Sequence, residues 1–183
     1  MALKQLVAPA AEPISLAEAK AFLRLDTETE DAFVSSLIKT SRLHIEAALD
    51  LALITQRWRL TSRVASLQPV PVPLHPVREV VGASAIDAGG ASTAIPLDQV
   101  DVNLDERPAT VCVTAEFGKR VAIDFEAGFG ADPADVPEPI RQALLLLVAH
   151  WFENREPVVI GSDATRIPMT VSALLAPYRG ARL

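Results

Sequence analysis

The stretch Pro137-Glu138-Pro139-Ile140-Arg141-Gln142-Ala143-Leu144-Leu145-Leu146-Leu147-Val148-Ala149-His150-Trp151-Phe152-Glu153-Asn154-Arg155-Glu156 decides how this chain is read. Prolines gate its start, where a missing backbone N–H leaves no helical bond unmade, and the run that follows is apolar on almost every face. The pattern predicts a helix over 137–155. Such a helix asks for cover on several sides, from the middle of its own fold or from another copy of the chain. Leu144, Leu147 and Trp151 are the candidates for contact between copies. His150 and Glu153 lie one helical turn apart and offer two metal ligands at most, with no further His or Cys close in sequence.

Upstream, Ser15-Leu16-Ala17-Glu18 is a capping box, and it predicts a helix over 15–25. Phe33, Leu37, Ile38, Ser41, Ile45, Ala48 and Leu49 recur at packed-helix spacing and predict a second helix over 29–50, the two forming a hairpin. From Ile54 the period changes to two: Ile54, Trp58 and Leu60 alternate with Thr55, Arg57, Arg59 and Thr61. Pro69, Pro71, Pro73 and Pro76 then mark an edge or a rigid connector, because each lacks a ladder donor. Asp87-Ala88-Gly89-Gly90 reads as a hairpin turn between two strands. Further short alternations place a β region over 54–127. The expected fold is α+β and mainly helical: an N-terminal helical hairpin and a long C-terminal apolar helix packed with a small antiparallel β region. An N-terminal arm, 1–12, precedes the main domain, 13–156, and a docking segment, 157–183, follows it.

The 183 residues are 50% apolar and 22% charged, an ordinary globular balance. A net charge of −6 argues against a free DNA binder, which needs a basic surface, and 5% aromatic content leaves few stacking platforms. The negative sign suits a wall past which DNA slides. The single Cys112, in an apolar run, is expected to be a buried small hydrophobe. The N-terminus lacks the apolar core of a secretory signal, and the run Ala143 to Ala149 is too short to span a bilayer. Synthesis in the bacterial cytoplasm and no membrane association are expected.

Catalytic signals are thin. Gly128-Phe129-Gly130 has no P-loop Lys-Ser/Thr after it, and no nucleophile elbow occurs. Asp98, Asp101, Asp105 and Glu106 lack the spacing of a calcium loop. No catalytic residue, metal or cofactor is expected. Two assembly signals stand out instead. Arg57, Arg59 and Arg63 line one side of a strand and set up a positive field toward an acidic partner. Pro177, Tyr178, Arg179, Arg182 and Leu183 form a terminal segment rich in the residue types that anchor interfaces.

Pro13-Ile14-Ser15-Leu16-Ala17-Glu18-Ala19-Lys20, Leu23-Arg24-Leu25-Asp26 and Leu53-Ile54-Thr55-Gln56-Arg57-Trp58 resemble the front half of the phage head–tail connector (adaptor) proteins. Ala127-Gly128-Phe129-Gly130, Asp135-Val136-Pro137, Ala143 to Glu156 and Leu174-Leu175-Ala176-Pro177-Tyr178-Arg179 resemble the back half, in the same order. The resemblance implies a ring, typically dodecameric, that joins a capsid portal protein to the stopper or tail while DNA passes through. The same family occurs in gene transfer agents, phage-like particles of some GC-rich bacteria, and the excess of arginine over lysine fits such a genome. Twelve acidic copies would form a collar of charge on the order of −70. The terminal segment is then expected to grip the portal or a neighbouring copy. A stopper or tail-completion protein of the same neck is the alternative. A small cytosolic metal- or ligand-binding enzyme built on His150 and Glu153 is a third reading.

Overall fold

The computed structural model describes residues 1–63, 67–114, 120–154 and 168–179. They divide into two compact units: Met1–Ala10 with Asp50–Ala131, and Ala11–Leu49 with the residues from Asp132 onward.

The first unit is built of strands. β1 (Ala2–Val7), β2 (Gln56–Ser62), β4 (Val77–Ile86), β5 (Ser92–Ile95) and β8 (Arg120–Ala127) form a five-stranded sheet in the order β1-β2-β8-β4-β5, every neighbouring pair antiparallel. β3 (Pro69–Pro71), β6 (Val100–Asn103) and β7 (Thr110–Val113) form a second sheet, β3-β7-β6. The two sheets share one core, with Leu60, Ile123 and Phe125 from the first and Val70, Val111 and Val113 from the second. Alternation along β7 turns Val111 and Val113 inward and leaves Cys112 half-buried, so the thiol is not the interior group its apolar neighbours suggested. The β4–β5 turn is the expected one, closed by Asp87 N–H to Ala91 O at 3.0 Å and by Ala91 N–H to the Asp87 carboxylate at 2.8 Å.

The Ala127-Gly128-Phe129-Gly130 step fastens the exit of β8. Gly128 donates to Pro76 O at 2.9 Å, Phe129 to Leu53 O at 3.1 Å, and Gly130 O accepts from Thr55 at 2.8 Å. At φ +140°, a Cβ on residue 128 would stand 2.6 Å from the backbone of Ile54 and Thr55, so only glycine fits.

The second unit is helical: α1 (Leu16–Leu23), α2 (Asp31–Leu49), α3 (Glu138–Glu153) and α4 (Met169–Leu175). At the start of α1, the Ser15 hydroxyl accepts from Glu18 N–H at 3.1 Å and Ser15 N–H donates to the Glu18 carboxylate at 2.9 Å. That is the reciprocal box the sequence spelled out. Lys20 of α1 meets Asp31 of α2 at 2.6 Å. α3 packs against α1, α2 and α4.

The expectation of a mainly helical fold with a long C-terminal apolar helix is overturned. The described residues are 37% helical and 32% strand, with two antiparallel sheets. Three features misled the reading. β1 lies where only an arm was expected. β3, β5, β6 and β7 are three or four residues each, too short for alternation to stand out. α3 is sixteen residues with one fully buried stripe (Ile140, Ala143, Leu144, Leu147 and Val148), and the last α-helix among the described residues is the seven-residue α4.

Candidate assembly surfaces

The outward face of the five-stranded sheet is charged in rows fixed by strand register. In one row Lys4 of β1, Arg59 of β2, Asp124 of β8 and Gly82 of β4 lie side by side. In the next stand Val7, Arg57, Glu126 and Glu79. Arg59 Nε and Nη2 donate to the two oxygens of Asp124 at 2.6 and 2.7 Å, and the hydrogen bond to Asp124 followed by its charge holds the guanidinium above its ordinary pKa. Arg57 donates to Glu126 at 2.7 and 3.2 Å. Arg57 and Arg59, named from sequence as partner-facing, thus sit on one exposed face with their charges already matched across the strand pair. Arg63, just past the end of β2, is exposed.

In the helical unit, Leu144 and Leu147 are fully buried within the single chain. Trp151 is half-buried, its ring edge-on to His44 with centroids 5.7 Å apart. Phe152, next along, meets Phe33 at 5.9 Å. Helical periodicity identifies an apolar face but not which molecule covers it, and for Leu144 and Leu147 the cover is the chain's own. Of the terminal segment, Pro177 and Arg179 are exposed and Tyr178 is half-buried, just after the buried Val171 and Leu175 of α4. Arg182 and Leu183 lie outside the described residues.

Sequence reasoning missed a buried cation. Arg42 of α2, 4% exposed, donates through Nε and Nη2 to Glu12 at 2.7 and 3.2 Å and through Nη1 to Glu46 at 2.8 Å. Burial opposes its charge, but the Glu12 hydrogen bond and the fields of Glu46 and Glu12 outweigh it and raise the pKa. Glu46, four residues on, was visible as a helical pair. Glu12 was not, because nothing in the sequence announces that it folds over α2. Arg141 of α3 similarly reaches back to the Glu18 carboxylate of α1.

A shallow apolar depression of about 350 Å³ opens beside the start of α1, with Ile14, Leu16 and Ile38 among its walls. Its polar side chains include Glu12 and Ser15, already engaged by Arg42 and Glu18, so no free acid–base set converges there. His150 lies against Asn154, ring nitrogen to amide at 3.4 Å, and Asp98, Asp101, Asp105 and Glu106 are all exposed. Among the described residues no helix is long and apolar enough to cross a membrane.

No protein-family model and no curated protein matches the chain. Solved structures do. The whole chain aligns with 97% of a chain in the neck of an empty gene transfer agent particle computed with C6 symmetry, at TM-score 0.83 and 28% identity. It aligns equally fully with a chain of the virion of a native gene transfer agent particle (TM-score 0.82, 28% identity). A third match, 26% identical at TM-score 0.78, is the neck of a native particle computed with C12 symmetry.

Proposed function

We propose that the chain is a head–tail neck protein of a phage-like particle of the gene transfer agent kind, and the adaptor of that neck; whole-chain likeness to chains of such particles supports this. In this reading it is a structural protein. Copies close into a ring, a dodecamer, between the portal protein and the stopper or tail-completion protein. The observation that carries the reading is likeness over the whole of this chain to chains of a particle neck. The C6 and C12 symmetries of those necks support a cyclic arrangement of copies. The net charge of −6 per copy supports a channel lining that repels DNA and lets it pass without specific binding.

Electron microscopy of particles from a strain lacking the gene tests this. Heads and tails that form normally but stay unjoined support the adaptor. Joined particles of normal appearance overturn it. Heads joined to nothing, but leaking DNA through a portal that still carries a ring made of another protein, would move this protein to the stopper position.

A further inference from the structure

Among the described residues, the five-stranded sheet ends on two edges without a full partner strand. Among these residues β1 has a strand on one side alone. At the opposite end, β4 has ten residues, of which β5 pairs with Ala83–Ile86, so among the described residues Val77–Gly82 has β8 on one side and no strand on the other, where the short 3-10 turn Leu97–Gln99 packs against β4. The open stretch is six residues long, the same as β1. Unpaired edges of this kind are templates for strand addition, and proteins that do not use them usually cover or twist them away.

The charges on the two edges are unbalanced in opposite senses. Lys4 stands directly opposite Arg59, and Glu79 directly opposite Glu126, both like-charge neighbours that weaken a cross-strand pair. Arg59 and Glu126 are each matched on their other side, by Asp124 and Arg57. A surplus cation is left on the β1 edge and a surplus anion on the β4 edge. Both side chains are exposed, and among the described residues neither forms an ion pair. Apolar surface accompanies them: Leu3, Leu6 and Val7 of β1 are 36, 38 and 54% exposed.

Resting on the ring reading above, we propose that β1 of each copy adds to Val77–Gly82 of β4 in the next copy, making one sheet continuous around the ring. Direction allows it, because β1 and β4 run oppositely within the sheet, and repeating the sheet side by side brings them together antiparallel. The faces fix a register. Lys4 lies opposite Glu79 of the partner subunit on the outward face. Leu3, which pairs with Leu60, lies opposite Val80 of the partner subunit, which pairs with Phe125, on the core face. The two edges differ, so the contact is head-to-tail, the kind that generates a cyclic ring when the rotation closes.

The test uses the full chain in the particle-producing strain. Lys4→Glu and Glu79→Lys each relieve a like-charge pair within the chain, so the purified variants should melt no lower than wild type. Each alone should reduce joined particles about tenfold by placing like charges at the seam, and the double reversal should restore them. Normal joining by the single variants, or no restoration by the double, overturns the seam while leaving the adaptor reading intact. That reading fails separately, if deleting the gene has no effect. As a second measurement, necks carrying Lys4→Cys and Glu79→Cys in a Cys112→Ser background are treated with a short bismaleimide. A ladder of multimers supports the pairing, and a single monomer band overturns it even if a reversal variant misfolds.

Discussion

Arg42 and Glu12 form a two-pronged contact, Nε and Nη2 of the guanidinium meeting the two carboxylate oxygens at 2.7 and 3.2 Å. The prong geometry is specific to arginine, and Glu46 occupies the remaining side of the cation. Replacing Arg42 with Met leaves two carboxylates facing each other without a cation. We expect a loss of about 3 kcal/mol in urea unfolding. Arg42→Lys, which restores the charge but not the fork, should recover part of that loss. A midpoint unchanged in Arg42→Met would show that the contact contributes nothing to the fold.

Arg59 and Asp124 form a similar fork, but on an exposed face where water screens it. Their double-mutant cycle to alanine should give a coupling of about 0.5–1 kcal/mol, shrinking toward zero in 1 M salt at an order-of-magnitude Debye length of about 3 Å. A coupling that survives high salt would mean the pair is shielded more than its exposure indicates.

Glu18 supplies a pH dependence. Backbone donation from Ser15 N–H lowers its pKa most; burial opposes this, and the Ser15 hydroxyl and Arg141 add to the lowering. A carboxylate whose folded pKa is depressed adds stability above its unfolded pKa and loses it as pH falls through the folded value. The stability difference between wild type and Glu18→Gln should therefore be present at pH 7. It should fade below about pH 4.3, the ordinary Glu value. Chemical denaturation at pH 7 and pH 3 reads the difference directly, and a gap independent of pH would assign the effect to shape instead of charge.

Local signals in the sequence located much of this fold. Ser15 and Glu18 named the start of α1, and the alternation around Trp58 named β2, because both are properties of neighbouring residues. β1 escaped because its large apolar residues, Leu3, Leu6 and Val7, do not recur with the period of two that marks a strand. The buried state of Arg42 escaped because its partner lies thirty residues upstream. At the assembly surfaces, Arg57, Arg59 and Arg63 could be placed on one strand. The register that sets Lys4 beside Arg59 and Glu79 beside Glu126 exists only once four distant strands are paired. Leu144 and Leu147 show the opposite limit: their apolar face was legible, but its occupant was not.

Gly128 is the most demanding single position in the strand unit. Alanine there meets the Ile54–Thr55 backbone at 2.6 Å with φ +140°, and neither segment is a flexible side chain that can swing aside. Gly128→Ala should cost about 2 kcal/mol or more, with the loss seen in thermal and urea unfolding alike. Gly90, also at positive φ but with open space around its Cβ position, is the control, and Gly90→Asn should cost far less. Equal losses at the two sites would show that dihedral strain, not contact, sets the penalty.

The terminal segment can be tested without disturbing the helices. Val171 and Leu175 hold α4 in place, and both precede Ala176, so a stop after Ala176 removes Pro177, Tyr178, Arg179, Arg182 and Leu183 while leaving the buried anchors. The truncated chain should fold with a melting temperature close to that of the full chain. In particles it should fail at joining, because Pro177 and Arg179 are exposed and Tyr and Arg are residue types that anchor partner surfaces. Substituting Tyr178 and Arg179 together by Ala should reproduce most of the defect. Pull-down with portal protein then separates the two candidate partners: loss of portal binding assigns the segment to the portal, and retained binding with broken ring closure assigns it to the neighbouring copy. Normal joined particles from the truncated chain would remove the segment from the assembly altogether.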